Sequence, residues 1–183
     1  MGMAATQIQW TADMVQALPD DGARHEIIDG ELFVTPAPSY AHQRAVLVLA
    51  RRLDAYVRAH GAGYVLPAPA DVVFSDRTLV QPDVFVVPPR DGKAPANWRE
   101  AGRMLLAVEI LSPSSARVDR VRKRALYQRE GVPEYWIVDL DARVVERWRP
   151  EDERPEILAD RIEWRVSADV PALEIELQEI WTG

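Results

Sequence analysis

The amino-acid sequence predicts a mixed α/β fold in which helices cover a β-sheet. Three observations support this fold class. Asp29-Gly30 separates two short apolar runs, an amphipathic pattern begins after Ser39, and three further apolar runs fall within residues 64–111. A second helical pattern and more strands follow. The predicted order is therefore hairpin, helix, three strands, helix, strands.

The first elements each have a local signal. A short helix is predicted over residues 11–18. The Asp29-Gly30 dipeptide readily adopts the positive φ angles of a two-residue hairpin turn, so the runs on either side of it are predicted to pair. Ser39 is a candidate N-cap, and apolar residues then recur at three- and four-residue spacing. They predict an amphipathic helix that ends at Gly61.

The remaining elements are predicted from length, β-branched content and turn residues. Long apolar runs predict three strands, at residues 64–74, 79–87 and 104–111. A second helix, residues 116–130, ends at Gly131. Later patterns indicate a buried strand, a half-exposed strand and terminal strands with loops, at residues 134–138, 144–149 and 151–183. No repeat or linker divides the sequence, so we expect one domain over residues 1–183.

Composition narrows the possible functions. The chain has 183 residues, 48% hydrophobic content and no cysteine, which excludes disulfides and thiolate chemistry. No segment is apolar enough to cross a membrane, so we expect a cytoplasmic protein. A net charge of −7 argues against coating nucleic acid by electrostatics alone. One basic segment would still admit a phosphate backbone: Arg117, Arg120, Arg122, Lys123, Arg124 and Arg129.

Two carboxylates interrupt predicted strands. Asp83 lies within the run 79–87, and Glu109 lies within the run 104–111. A buried carboxylate costs several kcal/mol unless it is hydrogen-bonded, paired or bound to a cation. Consecutive strands are neighbours about two-thirds of the time, so the two acids are expected side by side. A divalent metal ion is the simplest compensation, although a carboxylate bonded to backbone amides is the alternative for Asp83.

A third candidate lies on the second helix. A spacing of 100° per residue predicts that Val118, Val121 and Ala125 face the core, with Asp119 and Lys123 on the adjoining flank. Two carboxylates that hold Mg²⁺, together with a cation, are what hydrolysis of a phosphodiester requires. The alternative for Lys123 is a solvated ion pair with Asp119, four residues earlier.

Six segments resemble one known family. They are residues 26–32 (EIIDGEL), 36–39 (PAPS), 42–43 (HQ), 81–83 (QPD), 108–115 (VEILSPSS) and 131–139 (GVPEYWIVD). In this order they resemble the Uma2 family of endonucleases, also called DUF820. The resemblance covers residues 10–148.

The resemblance implies a restriction-endonuclease-like fold of the PD-(D/E)XK type and metal-dependent cleavage of nucleic acid. The expected substrate is DNA, the expected metal is Mg²⁺ or Mn²⁺, and a homodimer is expected. Asp83 and Glu109 would bind the metal, with the Ile110 carbonyl as an extra ligand. The pattern places its lysine at position 111, where this chain has Leu111. Lys123 is the predicted substitute.

Other residues are assigned supporting roles. Glu26 is predicted as a third acid at the site, with a strand-edge charge as its alternative. His42 is a candidate contact to substrate or metal, and a satisfied interior histidine is its alternative. Gln81, Arg120 and Arg124 are candidate substrate contacts.

Two rival functions remain open. Because the lysine at position 111 is missing, a binding module without turnover is one rival, and a hydrolase of small phosphodiesters is the other. Crowding of the two acids gives a further expectation: Asp83→Asn should melt no lower than wild type in chelator.

Overall fold

The computed structural model describes residues 8–96 and 103–182, so residues 1–7, 97–102 and 183 of the predicted domain lie outside the described residues. The α-helices are α1 (Ala12–Gln16), α2 (Tyr40–Ala59), α3 (Arg124–Arg129) and α4 (Gln178–Trp181). A π-helix (Val118–Lys123) leads directly into α3. The strands are β1 (Arg24–Ile28), β2 (Glu31–Thr35), β3 (Tyr64–Pro67), β4 (Val72–Ser75), β5 (Thr78–Val80), β6 (Val84–Val87), β7 (Leu106–Ile110), β8 (Tyr135–Asp139), β9 (Val144–Trp148), β10 (Glu156–Leu158), β11 (Arg161–Trp164) and β12 (Leu173–Glu176).

The strands form three sheets. A four-stranded sheet has the order β2-β1-β5-β4, and a six-stranded sheet has the order β10-β9-β8-β7-β6-β3. The third sheet pairs β11 with β12. The six-stranded sheet is mixed, because β7 and β8 are parallel whereas its other pairs are antiparallel. The predicted mixed α/β fold is therefore confirmed.

The hairpin and the first long helix are where the sequence predicts them. Asp29 and Gly30 have φ angles of 53° and 84°, and β1 pairs antiparallel with β2 on either side of them. Ser39 Oγ accepts a hydrogen bond from the His42 backbone N–H at 3.2 Å. One face of α2, which includes Leu49, packs in the main core with β6 and β7. The chain leaves this helix through Gly61, at φ 59°.

Two of the predicted long strands are wrong, because each divides into two strands that belong to different sheets. Residues 64–74 form β3 and β4, and residues 79–87 form β5 and β6. Pro82 interrupts the second run, since a proline cannot donate to a strand ladder. Asp83 therefore lies immediately before β6, where the chain crosses between sheets, and not inside a strand.

Strand β7 carries Glu109 through the middle of the six-stranded sheet. Val108 and Ile110 belong to the core under α2, whereas Ala107 belongs to the core beside α3, together with Tyr127. Side chains alternate between the faces of a strand, so Glu109 shares the face of Ala107. This alternation directs the Glu109 carboxylate toward the π-helix and α3, which carry Lys123 and Tyr127.

The predicted core face of the second helix is wrong in part, because Val118 packs against the core beside α3 but Val121 and Ala125 do not. Val121 is 51% exposed and Ala125 is also exposed, whereas Asp119 and Lys123 are buried. The cause is the π-helix, in which the Arg124 N–H donates to the Asp119 carbonyl five residues earlier. A π turn is wider than the α turn of 3.6 residues, so the 100° spacing does not apply. Asp119 and Lys123 therefore lie on the face of the helix that is turned toward the sheet.

No helix in the described part of the chain is both long enough and apolar enough to cross a membrane.

Candidate active site

Asp83, immediately before β6, and Glu109, on the neighbouring strand β7, lie side by side, as the sequence predicts. β6 pairs antiparallel with β7 through Val84 and Val108, and each acid is the next residue outward from that pair. The Ile110 backbone N–H donates to Asp83 Oδ2 at 2.7 Å. Asp83 and Glu109 are each only 2% exposed. The two carboxylates are thus enclosed at one end of the paired strands.

Asp83 is held by an arginine and a histidine from separate elements. Arg24 Nη1 donates to Asp83 Oδ1 at 2.7 Å, and His42 Nε2 lies 3.1 Å from Asp83 Oδ2. Burial raises the pKa of Asp83, but the His42 hydrogen bond, the Arg24 charge and the Ile110 N–H together lower it below its usual value. The ionised form of this carboxylate is therefore the form that the fold stabilises.

His42 lies beside Asp83, and its contact to substrate or metal stays a prediction. Its ring is buried on the first turn of α2 and contacts Asp83 through Nε2. The other ring nitrogen, Nδ1, is buried without a hydrogen-bond partner among the described residues. His42 is therefore not a fully satisfied interior histidine. It lines the same cavity as Asp83 and helps to position that carboxylate.

Lys123 reaches the acids from the π-helix. Its Nζ lies 2.9 Å from Glu109 Oε1, 2.9 Å from Glu26 Oε1 and 3.5 Å from Asp119 Oδ1. The Lys123 side chain is 3% exposed, so the solvated ion pair considered for it from sequence is wrong. One buried ammonium group is thus shared by three carboxylates.

The excess of negative charge shifts the ionisation of this cluster. Burial lowers the pKa of Lys123, but its three carboxylate neighbours raise it well above the usual value, so Lys123 stays protonated. Burial raises the pKa of Glu109 well above 4.5; Lys123 opposes this shift, while Asp119, Asp83 and Glu26 add to it. The pKa of Asp119 is raised too, again mainly by burial. A single lysine does not neutralise the group.

Glu26 joins the site from the other sheet. Besides contacting Lys123, its Oε1 accepts a hydrogen bond from the Gln81 backbone N–H at 2.7 Å. Glu26 is 2% exposed, so it is not a solvated charge at the strand edge. The site therefore draws side chains from both large sheets.

The structure separates the three candidate substrate contacts. Arg120 lines the cavity, although its guanidinium group pairs with Asp139 and Glu146. Gln81 donates from its side chain to Asp71 at 2.8 Å and is not among the residues that line the cavity. Arg124 also lies outside the lining and packs 4.8 Å from the centre of the Trp148 ring. The geometry therefore favours Arg120 alone.

Three residues of the cluster did not emerge as site residues from the sequence. Arg24 lies two residues before Glu26 on β1, a spacing that places both side chains on one face of the strand. Tyr127 lies four residues after Lys123 and donates from its hydroxyl to Glu109 Oε1 at 3.1 Å. Asp119 was considered only as a surface partner of Lys123. Strand alternation and helical spacing from Glu26 and Lys123 are signals that could have found these residues.

A cavity of about 790 Å³ contains the site. Its lining includes parts of three loops, at residues 35–39, 111–115 and 140–142. Asp83, Glu109 and Glu26 line it together with Lys123. The site therefore opens into a space that a ligand can enter.

The chemical type of the donors, buried carboxylate oxygens, suits a divalent cation of the hard type. Three buried carboxylates contact Lys123 and a fourth, Asp83, contacts Arg24. Asp119 Oδ1 accepts no hydrogen bond among the described residues, although it lies 3.5 Å from Lys123 Nζ. Oxygen ligands are those that Mg²⁺ prefers. No group of three or more His, Asp or Glu side chains within residues 8–96 and 103–182 has the arrangement of a metal centre. The predicted ligand set, Asp83, Glu109 and the Ile110 carbonyl, has only two such side chains and stays a prediction.

The hairpin, the mixed sheet and the enclosed acidic pair define a restriction-endonuclease-like α/β protein. The family model "Uma2: Putative restriction endonuclease" matches residues 12–178, so the chain belongs to the Uma2 family. The match confirms the resemblance and extends it past residue 148 into the terminal strands.

One solved structure supports the fold. It is a crystal structure from Anabaena variabilis ATCC 29413, described as "a putative nuclease belonging to DUF820". It is similar to this chain with a TM-score of 0.76 and 18% identity, over 94% of this chain and 97% of the other. At this identity the likeness establishes the fold alone. No curated protein sequence matches the chain.

Proposed function

We propose that this protein is a metal-dependent endonuclease that hydrolyses phosphodiester bonds in DNA. One observation carries the proposal: Lys123 enters from a helix and meets Glu109 and Glu26 beside Asp83, inside one cavity. This position of Lys123 supports the proposal that it takes the role of the lysine missing from position 111. Membership of the Uma2 family supports a nuclease-like function.

Asp83, Glu109 and the Ile110 carbonyl would hold Mg²⁺ or Mn²⁺. When bound there, the ion supplies Lewis-acid activation of the phosphate and lowers the pKa of water. The metal would also offset the negative charge that Lys123 alone leaves uncompensated.

Lys123 and Arg24 supply positive charge beside the proposed metal site. Lys123 is held protonated by its carboxylate neighbours, so it keeps a positive charge at the floor of the cavity. Arg24 lines the same cavity, and its side chain is 17% exposed while it bonds Asp83. Fixed cations aimed at developing charge on a phosphoryl group favour the transition state over the ground state. Lys123 and Arg24 are the residues proposed for this role.

Both sheets are proposed to form one nuclease domain. Glu26 comes from the four-stranded sheet and Glu109 from the six-stranded sheet, and both contact Lys123. Homodimer formation stays a prediction, and light scattering of the purified protein tests it.

Cleavage assays test the proposed activity. Plasmid DNA, single-stranded DNA, RNA and a chromogenic phosphodiester are incubated with the protein in Mg²⁺, Mn²⁺ or chelator. We expect nucleic acid to be cleaved only with metal. Asp83→Asn and Glu109→Gln are each expected to lower the rate about a hundredfold or more, because each removes a charged ligand from the reacting centre.

The matched control is Glu163→Gln, which changes an exposed glutamate on β11. It should cleave at the wild-type rate. Cleavage that persists in chelator would contradict the proposal. Folded wild-type protein that binds nucleic acid without cutting it would indicate a binding module, and turnover of the chromogenic substrate alone would indicate a hydrolase of small phosphodiesters.

A further inference from the structure

The lysine and arginine side chains that line the cavity are all bonded to acids. The lining carries six acidic side chains but only three from lysine or arginine. Lys123 contacts three carboxylates, Arg120 contacts two and Arg24 contacts one. A phosphate that enters the cavity therefore meets an excess of negative charge, and each of these cations is already paired. Binding of the phosphate requires that this charge distribution changes.

Arg24 has the fewest ionic partners of the three cations. Lys123 is 3% exposed and is shared by three acids, and Arg120 bonds two acids through its Nε and Nη2 atoms. Arg24 bonds a single carboxylate, and its one further hydrogen bond among the described residues is to the Gln81 carbonyl at 3.3 Å. Its side chain is 17% exposed and lines the cavity. Arg24 is therefore the cation that a ligand can most readily draw away.

The bond between Arg24 and Asp83 involves the oxygen atom that a metal ion would need. Asp83 Oδ2 is bonded by the Ile110 N–H at 2.7 Å and by His42 Nε2 at 3.1 Å. A carboxylate oxygen has about two acceptor positions, so Oδ2 is filled. Oδ1 is bonded by Arg24 Nη1 at 2.7 Å. A guanidinium group and a divalent ion beside the same oxygen repel each other, so they compete for Oδ1.

We propose that Arg24 and the divalent metal ion exchange places on Asp83. The inference rests on the function proposed above, since it concerns the metal and the phosphate of that reaction. Arg24 leaves Oδ1 when the ion binds there, and its guanidinium group is then no longer neutralised by a carboxylate. A free guanidinium group donates two parallel hydrogen bonds to a phosphate. The acidic cavity thus gains its phosphate contact only after the metal is in place.

Binding of Mn²⁺ in the absence of nucleic acid tests the exchange without turnover. Electron paramagnetic resonance of free Mn²⁺ is recorded during titration into wild type, Arg24→Met and Arg24→Gln. Each variant removes the competing charge, so each should bind Mn²⁺ about tenfold more tightly or better. A role for Arg24 that is limited to positioning Asp83 predicts the opposite result, which is weaker binding. Unchanged or weaker Mn²⁺ binding by either folded variant overturns the proposal.

Arg58→Met is the matched control. Arg58 pairs with Asp54 at 2.9 Å on α2, its side chain is 77% exposed, and it does not line the cavity. The control should bind Mn²⁺ with wild-type affinity. Circular dichroism checks that each variant is folded, and Arg24→Gln keeps a neutral N–H donor in case Arg24→Met does not fold.

Nuclear magnetic resonance of the wild-type protein tests the exchange independently of both variants. The protein is labelled with ¹⁵N-arginine, and the Arg24 guanidinium signal is identified by its loss in Arg24→Lys. This signal should shift when Mg²⁺ replaces chelator, because the guanidinium group leaves its carboxylate partner. The Arg58 signal should stay in place. An Arg24 signal that does not move when Mg²⁺ is bound overturns the proposal.

Cleavage rates separate this proposal from the broader one. At saturating metal, Arg24→Met should cleave about tenfold more slowly or worse, because the phosphate contact is lost, while its half-maximal rate needs less metal. A wild-type rate in this variant overturns the transfer to phosphate. Metal-dependent cleavage by wild type without tighter Mn²⁺ binding in the variants overturns the exchange and leaves the nuclease standing. Tighter Mn²⁺ binding in the variants without cleavage by wild type supports the exchange on Asp83 and rejects the nuclease.

Discussion

Lys123→Met is expected to lower the free energy of unfolding by about 3–5 kcal/mol, because it leaves buried carboxylates without the cation that they share. The three acids lie within 3.5 Å of Lys123 Nζ, and the side chain is almost fully enclosed. The methionine has a similar length but no charge. Urea unfolding in chelator at neutral pH measures the effect, because added metal would replace part of the lost charge.

Lys93→Met is the matched control for this substitution. The sequence contains only two lysines, and Lys93 is exposed in the loop after β6. Its replacement should change the unfolding free energy by less than about 0.5 kcal/mol. The double variant Lys123→Met/Glu109→Gln should recover part of the loss, because one uncompensated charge is gone. Equal stabilities for Lys123→Met and wild type would show that the network is not formed.

Asp83 and Glu109 are expected to respond in opposite directions when their charges are removed in chelator. Glu109→Gln should raise the melting temperature at about pH 8, and Asp83→Asn should lower it, with roughly 2–4 °C for each kcal/mol. Asp83 is ionised and satisfied by Arg24, His42 and the Ile110 N–H. Glu109 shares one lysine with two other acids. This reverses the sequence-based expectation that Asp83→Asn would melt no lower than wild type.

The pKa shifts of Glu109 and Asp83 predict how the stability effect of each substitution changes with pH. Glu109 has a folded-state pKa above its ordinary value of 4.5, so stability falls as pH rises from that value through the folded-state pKa. The gain from Glu109→Gln should therefore disappear near about pH 4. Asp83 has a pKa below its ordinary value of 3.8, so its contribution is present above that value and is lost as pH falls.

Melting curves at several pH values, all in chelator, measure both substitutions. Glu163→Gln again serves as the control, since it removes an exposed carboxylate. A stabilising Asp83→Asn, or a Glu109→Gln that destabilises at about pH 8, would contradict the charge distribution described here.

The centre of the site could be predicted from sequence because its signals are local. An acid beside an apolar run is conspicuous for its burial cost, and consecutive strands tend to be neighbours. Asp83 and Glu109 therefore emerge from the sequence, and the structure brings them together. The Asp29-Gly30 hairpin and the Ser39 cap are equally local, and both are confirmed.

The parts that could not be predicted depend on tertiary context. The π-helix changes which side chains face the sheet, and nothing in a 100° pattern signals a turn of that kind. Arg24 lies on β1 of the four-stranded sheet, and Asp83 lies just before β6 of the six-stranded sheet. The two side chains meet because the two sheets come together at the cavity, which local sequence patterns do not reveal. The break in residues 79–87 could have been predicted, since proline interrupts a strand and Pro82 lies inside this run. No local signal indicates that the two halves join different sheets.

Direct metal binding tests the central claim that the enclosed acids form a divalent-metal site. Electron paramagnetic resonance of free Mn²⁺ is recorded during titration into wild type, Asp83→Asn, Glu109→Gln and the Glu163→Gln control. We predict saturable binding by wild type and the control, with about tenfold weaker binding or more in the two site variants. Absence of saturable binding by folded wild-type protein, or equal binding by all four proteins, would contradict the claim.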